Sequence, residues 1–117
     1  MERIKGGTQM TKGVHYDLAA LVGTEMTAEE VRSLLADVTR VLESLAESSF
    51  KTKNIDGALR IVADSREMDL RQVLRPLRVI MQGEAESHGL YESMVIVGKD
   101  GVVRLIKSAV RALGDRA

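Results

Sequence analysis

The apolar positions fall into helical spacing along most of the chain. Val31, Leu34, Leu35, Val38, Val41, Leu42 and Leu45 recur at intervals of three and four, which predicts a helix over roughly 28–48 with one buried face. Thr27-Ala-Glu-Glu30 stands before it in the S/T-x-x-E form of a capping box. The residues off the stripe are mostly charged, so this helix is amphipathic and needs a partner. Upstream, DLAALVG at 17–23 predicts two helical turns stopped by Gly23. Downstream, Ile55, Leu59 and Val62 predict a helix capped by Asn54 and running to about residue 65.

Asp69 is placed to cap a third amphipathic helix through Met81, with Leu70, Val73, Leu74, Leu77, Ile80 and Met81 as its apolar stripe. Pro76 lies inside it and removes one backbone donor, so a kink or two abutting short helices is expected there. Residues 83–89, GEAESHG, read as a loop with a glycine at each end. Leu90 to Val97 reads as a helix, although Val95-Ile-Val97 would also suit a strand with no evident partner. Gly98 is the expected C-cap, Asp100 an N-cap, and Val102 to Leu113 the last helix. The fold class is therefore all-α, a compact bundle of five to six helices. Residues 1–26 are expected to be a flexible N-terminal tail with one short helix, and 27–117 the helical domain.

Composition narrows the function. Of 117 residues 44% are hydrophobic, enough for a core in one domain. Cysteine is absent, which excludes disulfides, thiolate metal sites and cysteine nucleophiles. No apolar run approaches the roughly 20 residues of a membrane span, and the first residues lack an apolar signal-peptide core. A soluble, cytoplasmic protein is the expectation. Aromatic residues make up only 3%, which argues against a platform that stacks many bases.

The formal net charge is zero, but the charge is unevenly spread. Asp17 to Glu47 holds seven acidic and two basic residues, whereas Leu70 to Ala117 holds eight basic and five acidic. Within the second segment Arg71, Arg75, Arg78 and Gln82 fall at i, i+4, i+7 and i+11, on one helix face. Arg104, Lys107 and Arg111 repeat the pattern in the last helix. Arginine offers a planar fork of donors suited to phosphates and base edges; an ordinary solvated helix face has the same spacing. Catalytic chemistry is poorly supplied. His15 and His88 are isolated, Glu29-Glu30 suits a helix N-terminus, the six methionines suit core filling, and no phosphate-cradling glycine motif occurs. No catalytic residue, metal site or cofactor is expected.

Three stretches then become more specific. They are Leu74-Arg-Pro-Leu-Arg78-Val-Ile-Met-Gln-Gly83, Ser87-His-Gly-Leu90-Tyr91-Glu-Ser-Met-Val-Ile-Val-Gly98-Lys99, and Val102-Val-Arg104-Leu. Together they resemble the C-terminal anticodon-binding domain of bacterial-type glutamyl-tRNA synthetases, over about residues 50–113. The resemblance implies an all-helical cage around the anticodon loop, with Arg78 against an anticodon base and Ser87, His88, Leu90 and Tyr91 shaping the base pockets. His88 stands where that family has a proline, and Glu84 where a basic residue is common. The synthetase's nucleotide-binding motifs are missing, so the chain is not expected to be an enzyme on its own. It is expected to be either a fragment of such a synthetase or a freestanding relative. The expected partner is a glutamate-type tRNA, docked on Arg71, Arg75 and Arg78 with Arg104, Lys107 and Arg111 as a flank. The alternative is a protein–protein or dimerisation module that kept the fold and lost RNA, with a synthetase among its possible partners. Zero net charge and the acidic Glu84 and Glu86 favour that alternative.

Overall fold

The computed structural model describes residues 18–23, 25–81 and 89–116. Among them are six α-helices and no strand: α1 (Leu18–Val22), α2 (Ala28–Glu43), α3 (Thr52–Arg66), α4 (Leu70–Ile80), α5 (Leu90–Val97) and α6 (Lys99–Arg116), with one 3₁₀ turn at Glu47–Ser49. The bundle expected from the spacing is what the chain forms. Residues 1–17 and 24 of the expected tail and residues 83–88 of the expected loop lie outside the described residues.

Helix α2 starts where the sequence says it should. The Thr27 N–H donates to Glu30 Oε1 at 2.8 Å, and the Glu30 N–H donates to Thr27 Oγ1 at 3.1 Å. Its stripe of Val31, Leu34, Leu35, Val38 and Leu42 is buried, chiefly against α6. Each such side chain contributes roughly 1.5–3 kcal/mol of burial. The helix ends at Glu43, earlier than the expected 48. Leu45 leaves the helical path, and its carbonyl accepts a bond from Lys99 Nζ at 2.6 Å. A tertiary contact thus satisfies a group left over at the end of α2.

Two caps differ from expectation. Asn54 is not a cap but sits inside α3, which begins at Thr52; its side-chain amide donates back to the Ser49 carbonyl at 2.9 Å. Asp100 is not a cap either, because α6 already begins at Lys99. Gly98 serves both helices: its N–H closes α5 on Met94 O, and its carbonyl accepts from Val102 N as α6 opens. Helix α4 does run from Asp69, whose N–H donates to Gln72 Oε1 at 2.9 Å. It passes through Pro76 as one continuous helix, not two, with the ring buried in the core.

Helix α3 lies on α2, α4 and α5, and α1 lies on α4 and α2. A single apolar core runs through all six helices, from Leu21 to Leu113. Arg66 ties the end of α3 to α2: its Nε donates to Asp37 Oδ2 at 2.7 Å and its Nη2 to Ser33 Oγ at 2.6 Å. Glu67 closes α3 in the left-handed conformation at φ 56°, where the Met68 N–H reaches back to Ala63 O. A side chain is disfavoured at that φ, so Glu67→Gly is expected to stabilise the fold by about 0.5–1 kcal/mol. A raised thermal midpoint would show it, and an unchanged or lowered midpoint would refute it.

Candidate nucleic-acid interface

The apolar stripe of α4 faces the core with Val73, Leu77 and Ile80 buried, which turns its arginines outward. The arginines then meet different neighbours. Arg71 and Arg75 line one hollow with Glu25, Asp69 and Gln72. The Arg75 guanidinium lies against Gly23, filling space that any side chain at that position would occupy. Gly23 has φ +74° and ends α1, so the cation rests beside a helix C-terminus, where positive charge is favoured. Arg78 is exposed near the other end of α4, close enough to the Tyr91 hydroxyl for its charge to be felt there.

Tyr91 joins α5 to α3. It sits on the first turn of α5, half-buried against the core. Its hydroxyl donates to Asp56 Oδ1 of α3 at 2.7 Å. The other carboxylate oxygen, Oδ2, accepts from Arg60 Nε at 2.8 Å. Asp56 and Arg60 are four residues apart, acid before base, which is the favourable order on a helix. Burial and then the Asp56 hydrogen bond push the Tyr91 hydroxyl up to about 12, against the opposing pull of Arg60 and Arg78. The same bond from Tyr91, followed by Arg60, holds the Asp56 carboxyl below its ordinary value.

The signs follow from linkage. The stabilisation carried by Asp56 is present above the ordinary carboxylate range and fades as pH falls through its lowered folded value. The part carried by Tyr91 is full below about 10 and is lost as pH rises from 10 towards 12. Tyr91→Phe is expected to cost about 1 kcal/mol of stability and to bring the Asp56 pKa back up. Denaturant unfolding and carbon-detected titration of the carboxyl would measure the two effects. An unmoved Asp56 pKa would contradict the assignment.

The remaining expected residues are distributed as follows. Leu90 is buried in the core, so it supports the start of α5 from inside. Arg104 and Lys107 line a separate hollow on α6 with Lys99, Asp100, Val103 and the α2 residue Glu43. Lys107 Nζ stands 3.3 Å from Glu43 Oε2, so part of this basic flank is answered by the acidic helix. Arg111 is exposed one turn further along α6. Gln82, Ser87 and His88, together with Glu84 and Glu86, lie outside the described residues. The fold thus brings Arg71 to Arg75 and Arg104 to Lys107. Sequence reasoning missed Asp56 and Arg60. Their i,i+4 pairing was visible, but their partner Tyr91 is 35 residues away and no local pattern points to it.

Comparison with known proteins agrees with this architecture. A family model described as an anticodon binding domain matches residues 8–110, reaching further towards the N-terminus than the resemblance read from the motifs. The chain is 27% identical over 117 residues to a glutamate–tRNA ligase of Thermodesulfovibrio yellowstonii, with 95% of this chain and 25% of the relative covered. It is 31% identical over 105 residues to glutamate–tRNA ligase 1 of Brucella melitensis and to glutamate–tRNA ligase 2 of Brucella ovis, covering 85% of this chain and 22% of each relative. The chain therefore spans about a quarter of the length of these relatives. No solved structure matches it. Among the described residues no group of acidic or histidine side chains is arranged to hold a metal ion, and no helix is long and apolar enough to cross a membrane. With a match that takes in most of its length, the chain belongs to the anticodon binding domain family.

Proposed function

We propose that this chain binds the anticodon stem-loop of a glutamate-type tRNA at the seam of α3, α4 and α5. The observation that carries the reading is Tyr91, tethered through its hydroxyl to Asp56, in a chain of this family whose α4 exposes Arg71 and Arg78. An arginine fork and a tethered aromatic ring are the two groups that single-stranded bases are read with: donors for the base edge and a surface for its face. Arg71 and Arg75 extend positive charge along α4, where phosphates would lie. Arg104, Lys107 and Arg111 form a second, more neutralised flank. The names of the similar ligases supply the choice of tRNA.

The test is titration of the full chain with a labelled glutamate-type anticodon stem-loop and with an unrelated hairpin of equal length. The specific loop is expected to bind more tightly, with affinity falling as salt rises. Arg78→Ala is expected to weaken the specific loop by about 1–3 kcal/mol, five- to a hundredfold or so, and to erode the preference. Arg71→Ala and Arg75→Ala are expected to weaken both hairpins alike and to flatten the salt dependence. Equal affinity for the two hairpins removes the reading.

A second reading, a protein-docking module, draws on one feature of α5. Val95 and Ile96 are 37% and 60% exposed on a helix that is apolar on most sides. An apolar face of that kind suits a protein surface better than RNA. Binding of neither hairpin, with retention of a protein on the immobilised chain that Ile96→Glu abolishes, would favour it.

A further inference from the structure

We propose that Asp56 is a positioning residue for base discrimination, fixing the Tyr91 ring and holding Arg60 beside it, so that α3 supplies a third wall to the seam. This rests on the RNA-binding reading above and extends it to residues that neither the motifs nor the family match single out.

The geometry is specific. The two oxygens of one carboxylate are divided between two partners on different helices: Oδ1 accepts from the Tyr91 hydroxyl at 2.7 Å, and Oδ2 from Arg60 Nε at 2.8 Å. A carboxylate held at both oxygens has a defined plane, and the hydroxyl it receives is held in turn. Tyr91 packs on the core and is anchored at its tip by α3. Its ring is thus fixed both at the root and at the far end. A fixed ring sets where a base stacked on it can lie. A ring free to swing would accept any base equally well, because every base has a stacking face. The ionised acceptor matters as well, since a charge-assisted bond is stronger and shorter than a neutral one. Arg60 is anchored by the same carboxylate, yet its side chain is 62% exposed. It therefore presents positive charge on α3, one turn from Asp56.

The proposal separates two roles on one helix. Asp56 acts on discrimination through the tyrosine, whereas Arg60 acts on affinity through phosphate. Asp56→Asn keeps the shape and removes the charge. Tyr91→Phe keeps the ring and removes the tether from the other side, which guards against a folding defect peculiar to one variant.

The experiment measures anisotropy of the full chain with a glutamate-type anticodon stem-loop and with the same stem-loop carrying replaced anticodon bases. Asp56→Asn is expected to lose about three- to tenfold of the preference between the two loops. Tyr91→Phe should lose a similar amount, and the double variant no more than either alone, because both cut one bridge. Asp56→Glu, which can still accept from both partners, should recover part of the preference. Arg60→Gln should weaken both loops equally and lower the salt slope. A purely structural role would shift the denaturation midpoint and leave the ratio of affinities untouched, and that result overturns the inference alone. Wild-type chain that does not tell the two loops apart overturns both the inference and the reading it rests on.

Discussion

Leu77→Ala is expected to destabilise the domain by about 2–5 kcal/mol. Leu77 is completely buried on the inner face of α4, one residue from the exposed Arg78. Removing its side chain forfeits the transfer free energy of three carbons and leaves a cavity that the flanking α3 and α6 can only partly fill. A domain of this length has about 5–15 kcal/mol in total, so the loss is a large share. Chemical denaturation should show a much lower midpoint with little change in slope. RNA affinity measured where the variant is still folded should change far less than for Arg78→Ala, since Leu77 is buried and Arg78 is exposed. A shift under about 1 kcal/mol would mean that α4 is not seated in the core as described.

Gly98→Ala is expected to cost about 1–3 kcal/mol. Gly98 stands at φ +93° and ψ 158°, a region open essentially to glycine alone. Nothing lies within 4 Å of where a Cβ would be built, so the cost is backbone strain and not a clash. Gly57 makes the comparison sharp. It too has open space around its missing Cβ, but it sits inside α3 with no such backbone demand. Gly57→Ala should therefore stabilise by about 0.5–1 kcal/mol. Thermal midpoints of the two variants should move in opposite directions. Movement in the same direction would show that the α5–α6 corner does not depend on this glycine.

Much of the fold was legible before any coordinates, and the reasons are local. A stripe such as Val31 to Leu42 repeats at the period of the helix that buries it, and Thr27 with Glu30 writes its own start. The ends were less legible where a distant group decides them. Helix α2 stops at Glu43 although apolar spacing continues to Leu45, and the Leu45 carbonyl is met instead by Lys99, 54 residues on. Gly98 was read correctly as the end of α5, but the cap of α6 was set two residues late, at Asp100, because spacing cannot show that a single glycine closes one helix and opens the next. The candidate interface divides in the same way. The arginine face of α4 is a matter of period. The pairing of Arg75 with Gly23, of Tyr91 with Asp56, and of Lys107 with Glu43 is a matter of which helices pack together.

By itself the sequence determined that this chain is a helical bundle, where most of its helices lie, which faces are apolar, and which motifs liken it to an anticodon-binding domain. These properties depend on residues three or four apart and on short motifs, so the linear order contains them. Only the tertiary structure decided that Asp56 would receive the Tyr91 hydroxyl, that the three arginines of α4 would serve two different neighbourhoods, and that part of the α6 basic flank would be answered by α2. Those outcomes depend on how amphipathic faces pair in space. Pairing is set by the shape of a shared core, to which every helix contributes and which no single segment encodes.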